Sequence, residues 1–301
     1  MTKTSPRPRR TIAAAFVAAL LLGSCSTFTS SSSAFSIEGE NYSKDDLNGL
    51  VDNLIIANQL TAPGGVAAAK DLVAIVSVMV QYRAGSHVLK ENGGSVSEAA
   101  RSAAAAQLEQ SNPQGLDAKT KALLVDIAVT GQAIDMITVP TDIEDRYNDN
   151  PTKTGVLCVS EITVASEDDA KNVLDRLAAG EPFAKVASAT TLNTDRRSVQ
   201  GNVLDGNDAP CAALESVNDQ LSPAVMNALA VTAPGRATVA VQDGEGWHVA
   251  IHRPWKDISA SHRTAFGTKP GRLLLAGFLA TADIHVNSTY GTWNPVTAQV
   301  E

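Results

Sequence analysis

The sequence predicts an α+β protein, with a helical domain joined to a small α/β domain. Two observations lead to this prediction. Apolar residues recur at the spacing of amphipathic helices through much of residues 43–150. Between residues 155 and 252 the pattern changes to an apolar strand, an amphipathic helix, further short helical segments and a closing strand. A chain of 301 residues is long enough for two modest domains.

Residues 1–24 have the composition of an export signal rather than of a folded element. Basic residues, with a twin-arginine pair among them, precede an apolar stretch that is too short to span a membrane permanently. The sequence Leu-Gly-Ser-Cys at residues 22–25 resembles a bacterial lipobox, in which the cysteine becomes the lipidated first residue. We therefore predict lipidation of Cys25 and an extracytoplasmic protein anchored to the cell membrane. An ordinary cleaved signal is the alternative. Residues 25–33 are predicted to form a Ser/Thr-rich tether.

The charge of the chain restricts its partners. The formal net charge is −8, and residues 1–24 contribute basic residues only, so the exported part is more acidic still. This acidity argues against nucleic-acid binding and against a polybasic membrane patch. Phosphate-binding loops, nucleophile elbows and metal-ligand spacings are absent from the sequence. We expect no nucleic-acid partner, no metal, no cofactor and no later segment apolar enough to cross a membrane.

Two cysteines remain once Cys25 is assigned to lipidation. Cys158 and Cys211 lie in the α/β segment of a chain that is predicted to be exported. Disulfides persist outside the cytoplasm, so a Cys158–Cys211 bridge is predicted. Two buried free thiols are the alternative.

Residues 34–150 are predicted to form the helical domain. A short strand and a turn at Gly39 precede a helix whose start is marked by Ser43, with Asp46 three residues later. Clusters of glycine, proline and asparagine then separate further helices. These helices are predicted at about residues 66–89, 95–110, 117–137 and 141–151, the last with a threonine cap.

The order of parts in residues 155–252 resembles a parvulin-type peptidyl-prolyl isomerase domain, which implies a four-stranded antiparallel sheet with helices. The most specific match is the segment 177–187, which is similar to the family's Leu-x-x-Gly-x-x-Phe-x-x-Leu-Ala pattern. Residues 233–241 are similar to the family's Pro-Gly strand. Residues 246–251 are similar to its Gly-x-His-x-Ile closing strand, in which His248 stands for the second of the family's two histidines.

The resemblance implies a polar floor made of two histidines and a neighbouring cysteine or aspartate. In this chain Glu161 stands where the first histidine belongs, and Asp195 or Asn193 falls nearest the acidic or thiol position. The candidate catalytic residues are therefore His248, Glu161 and Asp195. The resemblance also implies a role in peptide contact for His248, although a histidine on an apolar strand can instead be a buried core residue. Proximity to Glu161 is predicted to raise the pKa of His248.

The resemblance further implies an apolar pocket for the proline ring on the helix near residues 221–229. Leu221, Val225 and Met226 are the candidate peptide-binding residues, and Val225 replaces the family's pocket aromatic. Prolyl isomerisation has a barrier of ~20 kcal/mol but breaks no bond, so a shaped pocket and a polar floor supply all of the catalysis. Because both are altered, a weak or inactive isomerase is predicted. His252 and Trp255, at the end of the last strand, are predicted on the surface.

The flanking segments resemble the SurA/PrsA family of extracytoplasmic folding factors. Residues 37–47 are similar to that family's opening, and residues 139–151 to the helix before its isomerase domain. Residues 282–295 resemble the ending of actinobacterial SurA-like lipoproteins. This implies an isomerase-like domain at 151–257 and a C-terminal segment, 258–301, that returns to the helical domain through residues 258–294.

The family resemblance implies a membrane-anchored chaperone or foldase that binds unfolded or extended exported polypeptides. The helical domain would provide apolar grooves. The parvulin-like domain would be a degenerate module that binds peptides or acts as a spacer. An active peptidyl-prolyl isomerase with an altered site and a non-catalytic cell-envelope scaffold remain the alternatives.

Overall fold

The structure, a computed structural model, describes residues 32–111, 114–267 and 269–301. The predicted signal peptide, the lipidation residue Cys25 and nearly all of the predicted tether lie outside the described residues. Ser33, assigned to the end of that tether, already belongs to the first strand. Within the described part, helices predominate and the strands form small antiparallel sheets, so the predicted α+β class is confirmed.

The N-terminal part is mainly helical. Its elements are β1 (Ser33–Ile37), β2 (Glu40–Ser43), α1 (Lys44–Ile56), α2 (Ala69–Glu91), α3 (Glu98–Gln110), α4 (Ala118–Asp135) and α5 (Ile143–Asp149). Ser43 caps α1 by accepting a 3.0 Å hydrogen bond from the backbone N–H of Asp46, as predicted. The threonine cap predicted for the last helix is wrong, because α5 begins after Asp142, which makes no side-chain capping bond.

The hydropathy of α2 contradicts the expectation that no segment after the signal is apolar enough to cross a membrane. By length and composition α2 is apolar enough to cross a membrane, with a mean hydropathy of 1.3 over its most apolar window. The helix is nevertheless partly covered by protein, because 44% of that window is buried. It packs against β1, α4 and α12 (Pro270–Thr281), which is the environment of a core helix in a folded domain.

The α/β unit follows a short 3₁₀ turn, Pro151–Thr154. Its elements are β3 (Val156–Leu157), β4 (Val159–Val164), α6 (Glu167–Ala178), α7 (Phe183–Thr190), α8 (Thr194–Ser198), β5 (Ala212–Ala213), α9 (Leu214–Asn218), α10 (Pro223–Ala230), β6 (Val241–Gln242) and β7 (Trp247–His252). The opening strand predicted from the sequence is interrupted at Cys158. Its first part pairs with β5 and its second part with β7.

The main sheet of this unit has the order β4-β7-β6 and is antiparallel. The predicted fourth strand is reduced to a bridge between Ser160 and Asn202 on the outer edge of β4. Backbone hydrogen bonds from Glu161 N to Gly201 O (2.7 Å) and from Val203 N to Val159 O (2.9 Å) hold this segment. Gly201 has a φ of 85°, and a Cβ there would lie 2.9 Å from the carbonyl oxygen of Glu161. Glycine therefore permits the close approach that replaces a full strand.

The C-terminal segment packs on the helical part. Its elements are α11 (Trp255–Phe266), α12, β8 (Ile284–Val286), β9 (Trp293–Asn294) and β10 (Gln299–Val300). Strand β8 pairs antiparallel with β1, which places the last part of the chain beside the first described strand. A Cβ on Gly277 would lie 2.5 Å from the carbonyl oxygens of Thr152 and Lys153, so α12 touches the 3₁₀ turn backbone to backbone.

The surface positions predicted for His252 and Trp255 are wrong. His252 is 1% exposed and Trp255 is 7% exposed. The ring of Trp255 lies 5.5 Å from that of Tyr147 and 5.1 Å from that of His262, centroid to centroid. Trp255 is buried because α11 packs on α5 and β3. His252 is buried at the end of β7, where its carbonyl oxygen accepts a 2.8 Å hydrogen bond from Gly235 N.

Candidate functional site

The register of β4 and β7 brings two of the predicted site residues together. Thr163 pairs directly with His248, and Glu161 pairs with Ala250. Side chains alternate along a strand, so Glu161, Thr163, His248 and Ala250 share one face of the sheet. On that face Glu161 and His248 are diagonal neighbours, close enough for a carboxylate to reach a ring. Both are buried, at 5% and 3% exposed.

Both ring nitrogens of His248 face a carboxylate. Nδ1 lies 2.9 Å from Oε1 of Glu161, and Nε2 lies 2.7 Å from Oδ1 of Asp243. The imidazolium form of the ring can donate to both carboxylates at once, and the neutral ring to only one of them. The hydroxyl of Thr163 lies 3.4 Å from Nδ1. The ring is thus held between two acids, with both of its hydrogen-bonding atoms already engaged.

The second acid, Asp243, was not found by the sequence reasoning. It begins the turn between β6 and β7, where its N–H donates to Gly246 O at 3.0 Å and its Oδ1 accepts from Glu245 N at 2.8 Å. Burial by itself would raise the pKa of Asp243. Hydrogen bonds from Ser222, from the backbone of Glu245 and from His248 outweigh it and lower that pKa. The signal available in the sequence was the Asp-Gly pair, which is typical of a turn between two strands.

Arg196, on the other side of Glu161, was also missed. Its Nε lies 3.6 Å from Oε2 of Glu161, and its Nη1 donates to Asn202 O at 3.1 Å. Burial lowers the pKa of the guanidinium, and the charge of Glu161 opposes that change. Arg196, Glu161, His248 and Asp243 therefore form a line of alternating charges, which we call the charge network. Its two cations balance its two acids.

The structure does not bring Asp195 into the charge network. Asp195 lies on the exposed side of α8, and its neighbour Arg196 points inward. Consecutive residues of a helix are rotated by about 100°, so adjacent side chains face different surroundings. Asn193, the alternative at this position, caps α8 by accepting a 3.0 Å hydrogen bond from Arg196 N. The catalytic role assigned to Asp195 is therefore not supported by its position.

Two of the three candidate peptide-binding residues lie in the core. Val225 is 0% exposed and Leu221 is 5% exposed, and both pack in a cluster with Leu157, Val159 and other apolar residues. Helix α10 packs on β6 and β7 and points these two side chains inward, so they contribute to the core in this conformation, and their role in peptide binding stays a prediction. Met226 is partly exposed and stays a candidate for peptide contact.

The predicted disulfide between Cys158 and Cys211 is present in the structure. Cys158 lies between β3 and β4, and Cys211 immediately precedes β5, the strand that pairs with β3. Both cysteines are fully buried beside Ile258 and Trp255 of α11. The bridge therefore fastens the α/β unit where α11 packs on it.

The buried histidines predict a maximum of stability near pH 6.5. Burial lowers the pKa of His248, but hydrogen bonds to Glu161 and Asp243 outweigh it and raise that pKa above its ordinary value of 6.5. Its stabilising contribution is full below pH 6.5 and is lost as the pH rises through the raised pKa. Burial lowers the pKa values of His252 and His262 from 6.5 to about 4. Their contributions, up to about 3 kcal/mol each, are lost as the pH falls from 6.5 toward 4.

Urea unfolding of the full chain between pH 4 and 9 measures this dependence. His248→Asn is expected to abolish the decline above about pH 6.5 and to keep the acidic decline. His285→Asn, at a half-exposed histidine, is the control and should leave both limbs unchanged. A stability that keeps rising from neutral to alkaline pH would contradict the charge network.

A separate cavity lies in the helical part, between α2, α5 and α12. We call it the helical cavity; its volume is about 450 Å³. Val88, Leu274 and Phe278 supply apolar surface, and the ring of Phe278 lies 4.6 Å from that of His87. Charged side chains line the remainder, and most of them are paired with neighbours: His87 with Glu91, Arg146 with Asp142 and Lys153 with Asp149. In the part of the chain that is described, no cluster of His, Cys, Asp and Glu is suited to a metal ion.

The described chain has a helical part with an α/β unit inserted before its last elements, an order of parts that is similar to that of SurA/PrsA-like proteins. Its sequence is similar to that of foldase protein PrsA of Clostridium botulinum (strain Langeland / NCTC 10281 / Type F), with 29% identity over 138 residues. That match spans 43% of this chain and 39% of the relative. No protein-family model matches the chain.

Among solved structures, the chain is similar to the parvulin domain of PpiD from E. coli and to PrsA from Bacillus subtilis. The first shares 20% identity and a TM-score of 0.26, and covers 33% of this chain and 85% of the other. The second shares 18% identity and a TM-score of 0.29, and covers 72% and 85%. TM-scores this low do not by themselves establish a common fold.

Proposed function

We propose that the protein is a lipid-anchored, extracytoplasmic chaperone that binds non-native exported polypeptides. The signal-like residues 1–24 and the lipobox at Cys25 support the location. The similarity to foldase protein PrsA supports the class of activity. In this proposal residues 34–150 and 258–294 form one helical domain that binds the polypeptide, and residues 151–257 form the parvulin-like domain.

The observation that carries the proposal is the helical cavity. Its volume of about 450 Å³ is in the range of sites that accept one or two large side chains. Phe278 is partly exposed and offers apolar contact, with the nearly buried Val88 and Leu274 behind it. Apolar contact is the chemistry that unfolded chains expose. The charged rim is largely neutralised by its own ion pairs, so it tolerates many flanking sequences. Such a site favours binding with low sequence specificity.

The charge network supports a parvulin-like domain that is weak or inactive as an isomerase. A polar floor assists isomerisation only if its donors can turn to the twisted amide of the substrate. Both nitrogens of His248 are engaged by Glu161 and Asp243, and the ring is almost fully buried. Val225 and Leu221, two of the candidate peptide-binding residues, are buried in the core of this unit.

Replacing Phe278 by Gln is expected to weaken polypeptide binding roughly tenfold, because the ring supplies about 1.5–3 kcal/mol of apolar burial. Suppression of aggregation of a thermally unfolding model protein, followed by light scattering, measures the effect. Leu192→Gln is the matched control, because Leu192 is 52% exposed on the α/β unit, away from the helical cavity. Equal activity of Phe278→Gln and wild type would refute the helical cavity as the binding site. No suppression by the wild type would favour an envelope scaffold.

The retained His248 supports a second candidate, an active peptidyl-prolyl isomerase with an altered site. Exchange spectroscopy by NMR on a proline-containing peptide tests it directly. Catalysis by the wild type that disappears in His248→Ala would make isomerisation the favoured function of this domain. Absence of acceleration by the wild type and by Glu161→His would leave polypeptide binding as the role of this domain.

A further inference from the structure

A second, smaller cavity adjoins the helical cavity. It has a volume of about 180 Å³ and lies between α2 and the hairpin of β1 and β2. Phe35, Ile37 and Tyr42 line one side, with the rings of Phe35 and Tyr42 stacked at 5.0 Å. His87 lines both cavities, so the two are neighbours. Glu38 lines the helical cavity and Glu40, the first residue of β2, lines the smaller one.

The opposite wall of this smaller cavity is cationic. Arg83, His87 and Lys90 project from one face of α2, since residues separated by four and three positions lie on the same side of a helix. The guanidinium of Arg83 lies 5.6 Å from the ring centroid of Tyr42 and 5.8 Å from that of Tyr82. An aromatic side and a cationic wall thus face each other across the opening.

Two of these cations have no acidic partner. Within the described part of the chain, neither Arg83 nor Lys90 forms a salt bridge, whereas His87 is paired with Glu91 at 3.0 Å. Asp46 is near Arg83, but its carboxylate already bonds Lys119 and Ser43. Glu40 is the remaining acid of this cavity. The protein has a formal charge of −8, yet these two cations are not paired with its own acids. They can therefore attract a negatively charged group of a ligand.

We infer that the two cavities together select polypeptide segments in which an acidic residue lies close to a large apolar one. This inference rests on the proposed function and names the class of polypeptide that the same site prefers. The acidic side chain pairs with Arg83 and Lys90, and the apolar one enters the helical cavity beside Phe278. His87 lies between the two cations on α2, about 5–6 Å along the axis from each, and its ring is 4.6 Å from that of Phe278. Either cation is therefore about 10 Å from Phe278, the length of about three residues of extended chain, so the acidic and apolar residues are two to four positions apart.

Three blocked peptides test the inference, each with a phenylalanine and, three positions before it, Glu, Gln or Lys. Fluorescence anisotropy with the full chain is expected to rank their affinities Glu, then Gln, then Lys. The Glu peptide should bind roughly threefold to tenfold tighter than the Gln peptide at low salt, the range of one or two exposed ion pairs. The difference should shrink at 0.5 M NaCl because salt screens exposed charges.

The double variant Arg83→Gln/Lys90→Gln is expected to bind all three peptides alike, at the level of the wild type with the Gln peptide. Lys70→Gln is the matched control, because Lys70 is exposed on the same helix and lies about 20 Å from Arg83. It should keep the wild-type order. Equal binding of the three peptides by the wild type would overturn this inference and leave the proposed function standing. The same holds if Lys70→Gln loses the preference as fully as the double variant does. If no peptide binds, the proposed function fails with it.

Discussion

Glu161→Ala is expected to lower the free energy of unfolding by about 3–5 kcal/mol. The carboxylate of Glu161 bonds His248 at 2.9 Å and faces Arg196 at 3.6 Å, and all three side chains are at most 10% exposed. Its removal leaves two buried cations with a single acid, Asp243, and water has little access to compensate. Urea denaturation at pH 7 measures the change.

Glu245→Ala provides the control for this prediction. Glu245 is an exposed acid on the neighbouring turn, and its loss should change the stability by less than about 0.5 kcal/mol. Glu161→Gln keeps the shape and removes the charge, so its effect should lie between those of the other two variants. A loss below about 1 kcal/mol in Glu161→Ala would mean that Arg196 and His248 are not held by this carboxylate. Nitrogen chemical shifts of His248 provide an independent check, since the raised pKa should keep its ring protonated to a higher pH in the wild type than in Glu161→Gln.

Replacing Cys158 and Cys211 together by Ala is expected to lower the free energy of unfolding by about 2–5 kcal/mol. The bridge joins residues separated by 53 positions, so it restricts a large loop of the unfolded chain. It also ties the strand pair β3–β5 to the core under α11. Thermal or urea unfolding of the double variant measures the loss, which a reducing agent should reproduce in the wild-type protein.

The control for the bridge is the double variant in the presence and absence of reductant. Its stability should be the same in both conditions, because no bridge remains to be reduced within the described part of the chain. A wild-type protein that is insensitive to reductant, and as stable as the double variant, would contradict a structural role for the bridge.

The elements of the fold were predictable where the pattern is local. Strand β7 and helix α6 are visible from the spacing of their apolar residues, and Ser43 marks the start of α1. The reduction of the fourth strand to a bridge was not predictable. It depends on how closely Gly201 approaches β4, and such a contact produces no periodic pattern of residues in the sequence. The burial of Trp255 likewise depends on α11 folding back over residues far away in the chain.

The candidate site shows the same division. Glu161 and His248 were found because they occupy defined positions on two long strands of a recognisable unit. Asp243 and Arg196 were missed because one lies in a turn and the other on a helix of five residues, where side-chain direction is set by tertiary packing. Choosing Asp195 instead of Arg196 is an error of one residue, but on a helix it exchanges the solvent side for the core side.

The pairing of β1 with β8 imposes an order on folding. Strand β1 begins at Ser33 and its partner β8 ends at Val286, so this small sheet joins segments about 250 residues apart. A chain emerges from its N-terminus, and a contact between distant segments must wait for the later one. The contacts of the β4-β7-β6 sheet lie within residues 159–252, so this sheet can assemble while β1 still lacks its outer partner. Newly made copies therefore pass through a stage with an open strand edge, and completion of the C-terminal segment closes it.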